Sequence, residues 1–202
     1  MRIGIDLDGV LVDTVPMLVK AINDRYKRHI LENQITVMDL EILLGLDKEE
    51  VRGLWEELFS PYQPYLIQLE PLNGAVAGIE ALHKAGHSLM IVTSRLKPDD
   101  ISGWLMRYNL HSMVESSVVS ARDVEKVPMM HTMLDDSPSK LATLASRFIY
   151  KPYLLYTDYN GFTLDVRHRF NYVSGWPEFV VEMEKLASLD WSYGNSKEVY
   201  HI

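Results

Sequence analysis

The 202-residue sequence contains no cysteine, which rules out disulfides, thiolate metal sites and thiol nucleophiles and suits a reducing compartment. It has no apolar run near the roughly 20 residues that a bilayer-spanning helix requires. Asp6, Asp8 and Asp13 interrupt the amino-terminal stretch, where a secretory signal would carry a basic start and an unbroken apolar segment. A long Lys/Arg cluster is also missing, and the formal net charge is -8. Such a chain repels a polyphosphate backbone, which argues against polymeric DNA or RNA as a partner. A small phosphorylated molecule stays open, because a few local cations and a metal can override the sign of the whole surface. With only 11 glycines and 9 prolines, there is no room for long low-complexity linkers. The expectation is a globular cytoplasmic protein with no membrane partner.

What is present has two textures. Arg2-Ile3-Gly4-Ile5 reads as a buried strand that breaks into a loop. A helix follows, with Thr14 placed to cap it, Pro16 in its first turn and Met17, Leu18, Ala21 and Ile22 at helical spacing. As far as about Leu69 the pattern stays helical. Asp47-Lys48-Glu49-Glu50 looks like a capped start for a helix whose stripe is Val51, Leu54, Trp55 and Leu58, and no strand is evident. From Asn73 the pattern alternates. A helix stops at Gly86, then come a strand over Ser88–Val92, a helix near Pro98–Tyr108, strands at Ser117–Val119 and Thr132–Leu134, a helix over Pro138–Ser146, a strand at Tyr153–Tyr156 and a last helix over Trp176–Leu189. This alternation predicts an α/β fold, a parallel sheet covered by helices on both faces in three layers. Residues 1–13 and 71–202 form the expected core domain and 14–70 a helical insert.

Ligands of such sheets gather beyond the carboxyl ends of the strands. Three apolar strands here end in polar clusters: Asp6 and Asp8, then Thr93-Ser94-Arg95, then Asp135-Asp136-Ser137. Phosphoryl transfer needs a nucleophile, a proton donor for the leaving oxygen, a hard cation and donors for the phosphoryl oxygens, and these clusters supply them. Converging carboxylates repel unless a cation sits among them, and oxygen donors favour Mg²⁺ over zinc. Gly9 suits a tight loop that turns Asp8 back toward the site. Asp13 reads as a helix-start residue rather than a ligand.

These residues resemble the haloacid dehalogenase superfamily, whose phosphatases open with Asp-x-Asp-Gly, place Thr or Ser after the second strand and carry a later acidic pair. The resemblance implies Asp6 as nucleophile and Asp8 as the acid that protonates the leaving group and then activates water. Thr93 and Ser94 would bind phosphoryl oxygens. Asp135 would hold Mg²⁺ with Asp6 and the backbone carbonyl of Asp8, and Asp136 would act directly or through water. The superfamily's lysine would be Lys126, with Lys140 as the alternative beyond the acidic pair. Within the superfamily the chain looks most like the C-type nucleotidases. The shared features are Asp-Leu-Asp-Gly-Val-Leu-Val-Asp, the helical insert directly after it, Leu-Asp-Asp-Ser-Pro, and Tyr159-Asn160 with Trp176-Pro177-Glu178. That likeness implies a 5'-nucleotidase acting on nucleoside monophosphates beneath a helical cap. The chain departs from the deoxyribonucleotidases at Thr14, where they carry an aromatic residue, and at Arg95, where they carry proline; both positions would lie near the substrate.

Some readings stay open. A phosphotransferase or mutase acting on a sugar phosphate would use the same Asp6 and Asp8, and a non-catalytic phosphate- or metal-binding protein would use the same acidic cluster. Trp55, Phe59, Tyr62 and Tyr65 are either a stacking wall for a base or the insert's own core. Arg95 either clamps a second anionic group or pairs with a surface carboxylate. The seven histidines show no metal-ligand spacing.

Overall fold

The structure, a computed structural model, describes residues 1–35, 40–58, 68–94, 99–120, 127–160 and 170–189. Among them, six parallel strands form one sheet: β1 (Arg2–Ile5), β2 (Ser88–Thr93), β3 (Val114–Ser120), β4 (Met130–Asp135), β5 (Ile149–Leu155) and β6 (Asn171–Val173), in the order β3-β2-β1-β4-β5-β6. Between them run helices α1 (Val15–Tyr26), α2 (Leu40–Leu44), α3 (Lys48–Leu58), α4 (Ala75–Lys84), α5 (Asp99–Arg107), α6 (Pro138–Phe148) and α7 (Trp176–Ser188). The chain builds outward from β1 to β3 and then returns to the other side of β1 with β4. The reversal lies between β1 and β4, the place where open parallel sheets bind ligands.

Alternation along the strands makes two cores. Ile3, Ile5, Leu89, Ile91, Leu134, Tyr153 and Leu155 pack with Ile79 of α4, Trp104 of α5 and Trp176 and Phe179 of α7. Met90, Val92, Met133 and Leu154 pack on the opposite face against Leu141 and Leu144 of α6. Helices thus cover both faces, as the alternating pattern predicts. On the α6 side Gly4 leaves space for Met130, whose sulfur would lie 2.4 Å from a Cβ added at that position.

The helical segment expected as an insert has a separate small core of Leu18, Ile22, Leu40, Leu44 and Leu54. Its entry and exit segments are clasped together: Asp13 N–H donates to the Glu70 carbonyl and Leu72 N–H to the Leu11 carbonyl, both at 3.0 Å, and Trp104 of α5 donates to the Leu69 carbonyl at 2.8 Å. The expected cap on α3 is present, because Asp47 Oδ1 accepts from Glu50 N–H at 2.9 Å while Glu50 Oε2 accepts from Asp47 N–H at 3.0 Å. The expected cap on α1 is not. Thr14 is buried in a helical conformation and makes no side-chain cap bond; Asp13 Oδ1 accepts from Val15 N–H at 3.3 Å instead. A helical φ/ψ at Thr14 departs from the extended geometry that lets a cap hydroxyl reach the next turn.

Candidate active site

Adjacent parallel strands bring the clusters level. Ile5 lies in register with Ile91 of β2 and Leu134 of β4, so the next residue, Asp6, stands beside Asp135, and Thr93 closes the neighbouring strand. Asp6 N–H donates to the Leu134 carbonyl at 2.9 Å, which extends the β-ladder up to the site. Asp6, Thr93 and Asp135 are all buried.

The chain then turns sharply. Leu11 N–H and Val12 N–H both reach the Leu7 carbonyl at 2.9 Å, and Gly9 N–H reaches the Val12 carbonyl at 3.0 Å. Gly9 sits at φ +72°, and a Cβ there would lie 2.2 Å from Asp136 Oδ2 and 2.4 Å from Tyr159 Oη. Glycine is therefore demanded by backbone conformation and by space together. From the far end of the chain, Trp176 donates its indole N–H to the Val10 carbonyl at 2.8 Å in the buried core and pins this loop. Glu178 ties the entry to α7 by accepting from both N–H and Oγ of Ser174 at 2.7 Å.

Among the described residues, Lys140 brings a cation into the cluster. Its Nζ lies 2.7 Å from Asp6 Oδ2 and 2.9 Å from Asp135 Oδ2, with only 12% of its side chain exposed. Asp6 Oδ1 is buried with no hydrogen-bond donor among the described residues. Asp135 Oδ1 accepts from Ser137 N–H at 2.8 Å. Ligand oxygens of Asp6, Asp135 and Asp136 lie within 4.8 Å of one another, a spacing that fits a single metal ion.

Electrostatics point the same way. Burial, then the neighbouring Asp135, push Asp6 up to about 7 despite Lys140. Burial raises Asp135 to about 6, with Lys140 working against it, and burial followed by repulsion from Asp6 raises Asp136 to about 7. Lys140 itself is held charged well above the usual lysine range, because attraction to Asp6 and Asp135 outweighs its burial. Among the described residues one lysine faces these three carboxylates, and an all-oxygen donor set with an unbonded buried oxygen fits a hard divalent cation.

Residues 1–182 match the family of the 5' nucleotidase, deoxy (pyrimidine), cytosolic type C protein. The chain belongs to this type C nucleotidase family. A Bacillus cereus protein named "Putative nucleotidase" is 23% identical over 170 residues, spanning 79% of this chain and 88% of that one. The fold is shared with a haloacid dehalogenase family hydrolase from Deinococcus radiodurans, solved with bound phosphate and sodium: TM-score 0.67, 13% identity, 92% of this chain and 96% of that one. It is also shared with a "predicted phosphatase" from Clostridium acetobutylicum, at TM-score 0.64 and 12% identity over 91% and 98% of the two chains. Membership of this nucleotidase family makes the protein a hydrolase of the phosphatase class, and its fold is that of a haloacid dehalogenase family hydrolase.

For this type C family member, the remaining expected residues are distributed unevenly. Ser94 follows β2 and is exposed, and Thr14 is buried at the foot of α1. Arg95, Lys126, Phe59, Tyr62 and Tyr65 lie outside the described residues, as does the side chain of Trp55. Two side chains beside the acidic pair carried no assigned role in the sequence reading. Tyr159 Oη donates to Asp136 Oδ2 at 2.6 Å, and Asn160 Nδ2 donates to the Asp136 carbonyl at 3.3 Å and the Leu155 carbonyl at 2.6 Å. Lys140 did have a local signal. Ser137-Pro138 begins a helix and puts Lys140 in its first turn, where Cα–Cβ bonds tilt toward the helix amino terminus and hence toward the strand ends.

Proposed function

We propose that this protein is a Mg²⁺-dependent phosphomonoester hydrolase that works through an aspartyl-phosphate on Asp6, with nucleoside monophosphates as substrates. The observation that carries the reading is the grouping of buried Asp6 and Asp135 with half-buried Asp136, close enough to share one ion, with Lys140 bound to Asp6.

In the proposed reaction a carboxylate oxygen of Asp6 forms a bond to phosphorus as the bond to the leaving oxygen breaks. Asp8 gives that oxygen its proton. Water then attacks the phosphorus of the acyl phosphate, Asp8 takes the water's proton, and inorganic phosphate leaves with the Asp6 carboxylate restored. Lys140 offsets negative charge on Asp6 and on the transferring group, and Thr93, at the end of β2, hydrogen-bonds a phosphoryl oxygen. Asp6, Asp135, Asp136 and the Asp8 backbone carbonyl are the proposed cation ligands; the ion would neutralise charge between nucleophile and phosphate. Residues 14–70 are the proposed cap that covers the substrate and sets specificity.

The nucleotide reading is supported by the family match across residues 1–182 and by the name of the Bacillus cereus relative. Phosphate bound in the Deinococcus radiodurans hydrolase supports a phosphorylated ligand. No helix among the described residues is long and apolar enough to cross a membrane, and a cytoplasmic site of action agrees with the absence of cysteine.

The deciding experiment is phosphate release with Mg²⁺ across nucleoside monophosphates, sugar phosphates and an aryl phosphate. Preference for nucleotides is expected. Turnover of the aryl phosphate alone overturns the substrate assignment, and isomerised sugar phosphate without phosphate release would make the protein a mutase.

A further inference from the structure

Tyr159 makes contacts in two directions. Its hydroxyl donates to Asp136 at 2.6 Å, while its ring, itself buried, packs with Val19 of α1 and with Ile35, both in the helical insert. One side chain therefore touches the acidic cluster at one end and the insert at the other. Gly9 makes room for this pair, since a Cβ there would collide with Asp136 Oδ2 and Tyr159 Oη alike.

We infer that Tyr159 is a positioning residue that orients Asp136 for cation binding and couples the seating of the insert to the acidic cluster. The inference rests on the proposed cation site. A carboxylate with one oxygen held by a fixed donor loses rotamer freedom before the ion arrives, and partners of this kind typically change metal affinity by about 10–100-fold when removed. A phenol ordinarily releases its proton only at about pH 10, so it stays a donor throughout neutral pH. Asn160 fixes the backbone on the same side by bonding the Asp136 carbonyl. The coupling must run both ways, because any effect of insert seating on cation affinity implies an equal effect of the cation on seating.

The test uses Tyr159→Phe in the full chain, a change that keeps the ring against Val19 and Ile35 and removes only the hydroxyl. Mg²⁺ affinity is measured by isothermal calorimetry without substrate, well below the melting temperature. A purely structural tyrosine would lower the melting temperature and leave this affinity alone; the expected result is a loss of about tenfold or more. Hydrogen exchange supplies the second readout. Added Mg²⁺ should slow exchange over residues 15–26 in the wild type and have little effect there in Tyr159→Phe. Unchanged affinity overturns the positioning role, and equal slowing in both proteins overturns the coupling. If Tyr159→Phe does not fold, Val19→Ala loosens the insert's hold on the ring while keeping the phenol; it should also weaken Mg²⁺ binding, and an unaltered affinity overturns the inference. A wild type that binds no Mg²⁺ would instead remove the cation site itself.

Discussion

In the core, the ion pairs of Lys140 with Asp6 and Asp135 are almost wholly withdrawn from water. In the insert, Arg52 pairs with Glu49 and Glu56, and Lys20 with Asp24, all through side chains that are mostly exposed. The same functional groups meet at similar range, yet desolvation separates their consequences. A buried charge without its partner is expensive, whereas an exposed one falls back on solvent. The carboxyl ends of the central strands thus concentrate buried charge, and the insert spends its charge on a solvated outer face over a small apolar centre.

The contrast breaks hardest at Asp6. Asp6→Asn is expected to reduce phosphate release by about four orders of magnitude or more and to leave far-ultraviolet circular dichroism unchanged; residual turnover near the wild-type rate would remove the nucleophile assignment. Lys140→Met comes next. It should slow turnover by about 10²–10³-fold, and because it strands two carboxylates it should destabilise the cation-free protein by about 3–5 kcal/mol in urea titration. A variant as active and as stable as the wild type would return the role to another lysine, such as Lys126.

The third expectation concerns pH. In the cation-free protein Asp6, Asp135 and Asp136 keep protons up to about 7, 6 and 7, whereas an unfolded chain releases them near 4. Between those values the folded state binds more protons, so the contribution of these three groups to stability is fullest below about pH 4 and declines as pH rises through about 7. Lys140 stays charged in both states across that window and does not alter the sign. The melting temperature without Mg²⁺ should therefore be lower at pH 8 than at pH 5, and Mg²⁺ should raise it more at pH 8. A Mg²⁺ shift equal at both pH values would contradict this account of the cluster. The smallest effect belongs to the insert's surface: Arg52→Ala should move the melting temperature by no more than about 1–2 °C, and a larger drop would mean that the insert's exposed charges matter as the buried ones do.

Legibility along the chain followed the strength of local signals. β1, β2 and β4 were readable because apolar runs end abruptly in Asp6, Thr93 and Asp135, and the sheet then aligns those ends. The two edges of the sheet were harder: β3 begins at Val114, three residues before the expected Ser117, and Asn171-Tyr172-Val173 of β6 is too short to show alternation. Thr14 misled because a cap residue is recognised by type, while capping depends on backbone angles that only the folded turn determines. Tyr159 and Asn160 were visible as residues but not as partners of Asp136, which lies more than twenty positions away.

By itself, then, the sequence determined the layered α/β architecture and the acidic chemistry of the strand ends, because hydrophobic period and strand-terminal polar residues are local properties. Only the tertiary structure decided which cation meets Asp6, which hydroxyl holds Asp136 and why Gly9 must lack a side chain. Those outcomes depend on distances between segments remote in sequence, and distance is created by packing rather than written in any one stretch of chain.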